Sequence, residues 1–204
     1  SRFVSVASTA QAVNHLSQLI SRVGHPKSND AALIEQLLLK IFLDYSDLTL
    51  WKMGSVAHSI NEIRRARISI IFDKVGPTLK SFEIKTFLEF CRLLISICDM
   101  TVSTDVFTLN LSKEVRVCKR IMSSDMLIAA PNSILIYTPE NKEAYDYIRG
   151  FEDHCVALPS LQRPKKLRFV LNNSKHMIAL LKPKDDLRKD SRFMELCRLL
   201  NQNF

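Results

Sequence analysis

The side chains best suited to chemistry lie between Ser160 and Glu195. There the sequence reads S-L-Q-R-P-K-K-L-R-F-V-L, then a turn, then A-L-L-K-P-K-D-D-L-R-K-D-S-R-F-M-E. Lys182 ends an apolar run of strand character, so its ammonium should project from a sheet edge into a partly desolvated place. A single fixed cation there suits the oxygens of a nucleotide phosphate. Asp185, Asp186 and Asp190 follow closely, and Asp190 stands four residues past Asp186 on an expected helix. One of these carboxylates can pair with Lys182 and hold it, and acidic residues in a first helical turn also suit the helix dipole. Upstream, Ser160 to Lys166 forms a short basic turn between two expected strands. Its hydroxyl and backbone N–H groups could cradle phosphate oxygens without any glycine. The competing reading is a charged hairpin with surface ion pairs, each worth about 0–1 kcal/mol. On the residues alone the two readings stand level.

Other chemistry is poorly supported. There is no G-x-x-x-x-G-K-[ST], G-x-G-x-x-G, H-E-x-x-H or G-x-S-x-G in the chain. The five histidines, His15, His25, His58, His154 and His176, never reach metal-ligand spacing. Arg64-Arg65-x-Arg67 could be an import or phosphate patch. With Ile63, Ile70 and Ile71 expected beneath it, a solvated helix face is the simpler reading. The cysteines (Cys91, Cys98, Cys118, Cys155 and Cys197) are odd in number and include no C-x-x-C pair. They read as reduced thiols of an intracellular protein.

The elements that must carry these residues differ along the chain. From about Thr9 to Met100 the apolar spacing is helical. Val13, Leu16, Ile20 and Val23 form one stripe, which Gly24 and Pro26 end. A second run, capped by Asn29 or Asp30, carries Ile34, Leu37, Leu38, Ile41, Phe42 and Tyr45. A third holds Trp51, and Asn61 is expected to cap a fourth. After Gly76-Pro77 a fifth run carries Ile84, Phe87, Leu88, Cys91, Leu94, Ile95 and Cys98. Antiparallel helices joined by short turns suggest a solenoid or bundle, although no internal repeat is present. Residues 101–111 are ambiguous between strand and loop, and a short helix is expected over Lys113–Ser123. A β-branched run at Ser133–Tyr137 precedes three expected strands, Phe151–Leu158, Lys166–Leu171 and Met177–Leu181. Asn172-Asn173-Ser174-Lys175 supplies the turn between the last two. A final helix is expected from Asp186 to about Asn201. The fold class is therefore mainly α, followed by an α+β ending of antiparallel strands plus one helix.

With 204 residues, 47% apolar and 25% charged, the chain has the composition of a globular protein and not of a disordered one. Its net charge of +8 invites a nucleic-acid or phosphate reading. Residues 160–204 hold 11 basic and 4 acidic side chains, a net of +7, whereas residues 1–159 hold 18 and 17. The basicity thus belongs to the segment around Lys182. The longest apolar stretch, near Leu37–Leu43, is broken by Lys40, so no membrane span is expected. The chain starts at Ser1 without an initiator Met and reads as a piece of something larger.

K-P-K-D-D-L-R-K-D-x-R-x-M-E, preceded by S-L-Q-R-P-K-K, closely resembles the start of the catalytic domain in the phosphatidylinositol-3-kinase-related protein kinases. Other branches of that family typically read K-G-x-[DE]-D-L-R-Q-D here. Pro183-Lys184 and Lys189 in place of Gly and Gln are similar to the ATR-type DNA-damage checkpoint kinases. L-S-Q-L-I-S-R at 16–22 and the helix around Trp51 resemble the end of the family's helical FAT region. The likeness is dense over 156–195, thinner over 13–60 and weak over 61–150. It implies three parts: the end of FAT over 1–56, a connecting helical region over 57–150, and the start of a PI3K/PI4K-type kinase N-lobe over 151–204.

The resemblance also implies roles. Lys182 is similar to the family's ATP-phosphate lysine, Asp190 to the carboxylate deep in the nucleotide pocket, and Asp185 to a second acidic position beside the lysine. The turn Ala157, Leu158, Pro159, Ser160, Leu161, Gln162 and Arg163 resembles the phosphate-binding loop, with Ser160 placed to meet a phosphate. Leu158 and Leu180 would line the adenine side. Lys165 and Lys166 stay ambiguous between phosphate field and plain surface. The family's catalytic base and metal ligands would lie beyond residue 204, so no catalytic residue falls within the chain. The parent would be a serine/threonine protein kinase using ATP and Mg2+ to modify Ser or Thr before Gln, while the chain alone would be inactive. It would act in the nucleus, away from membranes, recruited to single-stranded DNA by a regulatory partner protein and assembled as a homodimer of heterodimers. The alternative is a helical scaffold or nucleic-acid-binding module with a basic tail. Its affinity would fall steeply with salt, but it would need more aromatic residues than Phe169, Phe193 and Phe204 among its basic ones. A lipid kinase of the same superfold is disfavoured by the neutral helical region and by Lys189.

Overall fold

The computed structural model describes residues 8–78, 81–103, 107–114, 128–131 and 145–183, together with Asp190, Phe193, Met194 and Cys197. Its first half is helical: α1 (Thr9–Ala12), a 3-10 turn (Val13–His15), α2 (Leu16–Ser21), α3 (Ser28–Asp44), α4 (Ser46–Ala57), α5 (Glu62–Val75) and α6 (Ser81–Asp99). Leu16, Ile20, Val23, Leu38, Ile41, Phe42, Met53, Val56, Ile68 and Ile71 bury one another in a single core. Asn61 caps α5 as expected: its Oδ1 accepts from the Arg64 N–H at 3.1 Å. Asn61→Ala should cost about 1 kcal/mol, measurable as a shift in the denaturant midpoint of this chain. Asn29 and Asp30 do not cap α3, because the helix already begins at Ser28 and places both in its first turn.

Two helical faces differ from expectation. On α5 the inward residues are Ile68, Ile71, Phe72 and Val75, while Ile63 and Ile70 are exposed. On α6 the buried residues are Ile84, Phe87, Phe90, Leu93 and Ile97, while Ile95 is exposed. The reason is that α6 has two neighbours. Ile84 belongs to the helical core, whereas Phe87, Phe90, Leu93 and Ile97 pack against the sheet. A single narrow stripe cannot serve two partners, so the apolar face widens.

Gly54 on α4 permits the close approach of α6, since a Cβ there would stand 2.7 Å from Phe87 Cε1 and 3.0 Å from Cys91 Sγ. The arginine cluster is neither a patch nor a solvated face throughout. Arg64 Nη2 donates to the Ile20 carbonyl at 3.3 Å, and Arg67 Nη1 donates to the Val23 and His25 carbonyls at 2.8 and 2.9 Å. Both guanidiniums thereby satisfy carbonyls at and beyond the end of α2, where cations also suit the dipole.

Among the described residues the second half forms a six-stranded antiparallel sheet: β1 (Thr108–Asn110), β2 (Ile128–Ala129), β3 (Tyr147–Phe151), β4 (His154–Ala157), β5 (Lys165–Leu171) and β6 (His176–Leu181). A short helix, α7 (Leu111–Glu114), follows β1. The strand expected over Phe151–Leu158 is in fact the end of β3 and all of β4, two strands that follow one another along the same edge of β5 and are interrupted at Glu152-Asp153. Asp153 turns back to accept from the Ser112 N–H and hydroxyl at 2.6 and 2.9 Å. Burial works against its ionisation, but these hydrogen bonds prevail and hold its carboxyl below the usual range.

β5 is central, with β6 along one edge and β4 and β3 sharing the other. The β5–β6 turn falls where expected, yet Ser174, not an asparagine, takes the left-handed conformation at φ 61°. Asn173 instead accepts from the Lys175 N–H, and Asn172 accepts from the Tyr147 N–H. The strand expected at 133–137, the remainder of the helix expected over 113–123, and most of the last helix lie outside the described residues. The described Asp190, Phe193, Met194 and Cys197 are helical.

One core joins the halves. Phe87, Phe90, Leu93 and Ile97 of α6 meet Leu109, Ile148, Phe151, Cys155, Leu167, Phe169 and Leu171 of the sheet. Trp51 of α4 stacks edge-on against Phe87 and Phe90, and its indole N–H donates to the Ala129 carbonyl at 2.8 Å. Among the described residues no helix is long and apolar enough to cross a membrane.

Candidate functional site

Alternation along β5 and β6 gives the sheet two chemically distinct faces. Leu167, Phe169 and Leu171 face α6, while Lys166 and Arg168 face outward with Ile178 and Leu180. Val156, Lys166 and Leu180 form one cross-strand row on the outer face. Three large apolar side chains stay accessible there, Val156 at 39%, Leu180 at 45% and Ile178 at 56%. Lys182 continues the alternation just past the end of β6 and is half-buried. Its Nζ lies 3.5 Å from Asp190 Oδ2, so two residues eight apart in sequence meet beside the end of β6. An apolar patch ending in an oriented, carboxylate-held ammonium has the chemistry of a nucleotide site: apolar surface for a base, a fixed cation for phosphate.

The turn before β5 borders this patch. It is closed at its neck by the Leu158 N–H donating to the Pro164 carbonyl at 2.8 Å, with inner bonds from Ser160 N–H to Leu158 O at 2.9 Å and Arg163 N–H to Ser160 O at 3.1 Å. Pro159, Ser160, Leu161 and Gln162 are exposed, and Leu158 is half-buried. Ala157 is buried, and its N–H donates to the Phe107 carbonyl at 2.8 Å. Arg163 adopts φ 50°, an uncommon value for a residue with a Cβ. Its guanidinium donates to the Ser103 carbonyl at 2.9 Å and lies over the Phe107 ring, 5.3 Å from its centre. Asp185 lies outside the described residues.

The two lysines that open β5 separate completely. Lys166 is exposed on the outer face. Lys165 is 2% exposed, in the row Ala157–Lys165–Leu181 on the core side, and its Nζ donates to the carbonyl of Cys98 in the last turn of α6. The neighbouring thiols register this cation. Burial pushes Cys155 up to about 11 against the opposing pull of Lys165. Burial and Asp99 raise Cys98 against the same lysine. Cys91, away from it, is pushed by burial to about 12. Lys165 was open to detection in K-K-L-R-F-V-L, where period-two alternation places it with Leu167, Phe169 and Leu171. Among the described residues no cluster of His, Cys, Asp or Glu could hold a metal ion.

The chain is similar to known proteins in sequence and in fold. A family model described as serine/threonine-protein kinase ATR-like, HEAT repeats, matches residues 2–93. The serine/threonine-protein kinase ATR of Oryza sativa is 30% identical over 206 residues, covering 92% of this chain, and that of Arabidopsis thaliana is 28% identical over 213 residues, covering 95%. Protein kinase rad3 of Schizosaccharomyces pombe is 26% identical over 210 residues, covering 92%. The chain spans only 8–9% of the length of these relatives. A solved structure of CtTel1 in its open conformation shares the fold, with a TM-score of 0.77 and 16% identity over 95% of this chain and 8% of that one. The family resemblance drawn from the K-P-K-D-D-L-R-K-D segment and the sequence matches therefore stand together: over most of its length the chain matches a segment of the ATR-type phosphatidylinositol-3-kinase-related protein kinases.

Proposed function

We propose that this chain carries the helical approach and the first strands of the ATP site in a serine/threonine protein kinase of the DNA-damage checkpoint. The observation that carries the reading is the Lys182–Asp190 pair at the edge of an accessible apolar sheet face. ATP supplies the γ-phosphoryl group, and catalysis of its transfer rests on positioning and charge stabilisation. In this reading Lys182 binds phosphate oxygens and Asp190 holds its ammonium in place. Leu158 and Leu180 cover the adenine, and the turn from Ala157 to Arg163, with Ser160 at its exposed part, borders the phosphates. Asp185 adds a second carboxylate near the lysine. The base and the Mg2+ ligands belong to parts of the protein outside this chain. The division into 1–56, 57–150 and 151–204, a nuclear location, recruitment to single-stranded DNA through a partner protein, and assembly as a homodimer of heterodimers belong to the same proposal.

The nucleic-acid-binding alternative is weakened by where the cations go. Arg64, Arg67, Arg163 and Lys165 all donate to backbone carbonyls of this chain. The test is transfer of the γ-phosphate by the full-length protein to a Ser-Gln peptide and to its Ser-Ala counterpart. A preference of about 10-fold or more for Ser-Gln is expected, with no transfer by the 204-residue chain alone. Equal use of both peptides, or transfer by the chain alone, contradicts the proposal.

A further inference from the structure

Three ties hold the 158–164 turn to the segment that leaves α6. The buried ammonium of Lys165 donates to the Cys98 carbonyl at the end of the helix. The guanidinium of Arg163 donates to the Ser103 carbonyl and lies over the Phe107 ring. The Ala157 N–H donates to the Phe107 carbonyl just before the turn begins. These residues lie within or beside the turn, and they reach Cys98, Ser103 and Phe107. α6 in turn is fixed to the sheet through Phe90, whose ring lies 5.8 Å from that of Phe169, and to α4 through Trp51 and Gly54.

A buried lysine is costly unless its ammonium is satisfied, and a helix C-terminus, with its unpaired carbonyls and negative dipole end, is a favourable partner. That placement leaves Lys165 turned away from the outer face. The positive φ of Arg163 directs its side chain sideways to Ser103, another arrangement that persists only when its surroundings hold it. Neither cation is therefore arranged to bind phosphate, although both adjoin the turn that would.

We propose that Arg163 and Lys165 are positioning residues that clamp the phosphate-binding turn to the C-terminal end of α6, so that the helical region sets the turn's position over the nucleotide. The proposal rests on the ATP-site reading given above. A displacement of about 1 Å in a group that orients a reactant can lower the rate by about 10²-fold, so the clamp should be visible in kinetics. It also offers a physical route by which a protein bound to the helices could alter nucleotide use: movement of α6 would carry the turn with it.

The experiment uses the full-length protein carrying Lys165→Met, Arg163→Gln or Arg163→Lys, assayed for ATP-dependent phosphorylation of a Ser-Gln peptide alongside Lys182→Ala. Lys165→Met and Arg163→Gln are expected to raise KM for ATP by about 10-fold while leaving KM for the peptide unchanged. Arg163→Lys, which retains a cation able to reach Ser103, should recover most of the loss. If Lys165→Met does not fold, Arg163→Gln decides the matter, because that side chain is only half-buried. An unchanged KM for ATP in Arg163→Gln overturns the clamp. So does a loss that moves both KM values together and follows a lowered thermal midpoint. Should Lys182→Ala keep near-wild-type activity, the ATP-site reading itself fails; if Lys182→Ala is inactive while Arg163→Gln behaves as wild type, only the clamp fails.

Discussion

Lys182→Ala in the full-length protein is expected to lower kcat for Ser-Gln phosphorylation by about 10²–10³-fold, the loss typical of removing one preorganised electrostatic group. Lys182 leaves β6 on the face shared with Leu180 and Ile178, and Asp190 holds its Nζ at 3.5 Å. The ion pair contributes little stability, since both partners are partly exposed and such pairs are worth about 0–1 kcal/mol. Its value lies in direction: a long, flexible side chain is kept pointing at one place. KM for the peptide should change little, because the peptide does not touch Lys182 in this reading. Asp190→Asn should lower kcat in the same direction but less, since the lysine remains present with a looser orientation. Near-wild-type transfer by Lys182→Ala would remove Lys182 from the site.

The largest stability effect is expected at Phe90. Its side chain is fully buried between α6 and β5, within 6.0 Å of the Trp51 ring and 5.8 Å of the Phe169 ring, centre to centre. Phe90→Ala removes the whole ring, which three elements share, and it should destabilise the chain by about 3–5 kcal/mol. Phe90 lies where helices and sheet meet, so neither side can close the cavity without moving the other. Denaturant unfolding of the 204-residue chain, followed by Trp51 fluorescence, measures this directly. The loss should exceed that of Asn61→Ala several-fold. A cost below about 1 kcal/mol would mean that the interface relaxes freely and that helices and sheet are not one core.

Much of this fold was legible because local signals agreed with it. Gly76-Pro77 ended α5, Asn61 capped it, and K-L-R-F-V-L and M-I-A-L-L with the asparagine turn between them marked two paired strands, each of which begins one residue earlier than expected. Where local signals were silent, expectation and structure parted. The β3–β4 break within Phe151–Leu158 carries neither glycine nor proline; it is made by Asp153 reaching Ser112, 41 residues away. Phe90, Leu93 and Ile97 were not expected in the core because a stripe calculated for one neighbour does not reveal a second. Arg64 and Arg67 read as surface because their acceptors, carbonyls more than 40 residues away, cannot be seen along the helix that bears them.

The candidate site divides in the same way. Its chemical character was present in the order of residues: a strand ending in Lys182, carboxylates behind it, and a basic turn before the preceding strand. Those are short-range facts, set by the two-residue period of a strand and by the K-P-K-D-D-L-R-K-D segment that also marks the family. Which face of the sheet is inward, and so where each cation ends, was decided by packing. Lys165 and Lys166 are adjacent and chemically identical, yet one is exposed on the outer face and the other ends on the Cys98 carbonyl inside the core. Alternation separates them, but only the position of α6 determines that the inward one meets a helix end able to satisfy its charge. The same packing ties Arg163 to Ser103, which makes the turn at 158–164 a part anchored to the helical region.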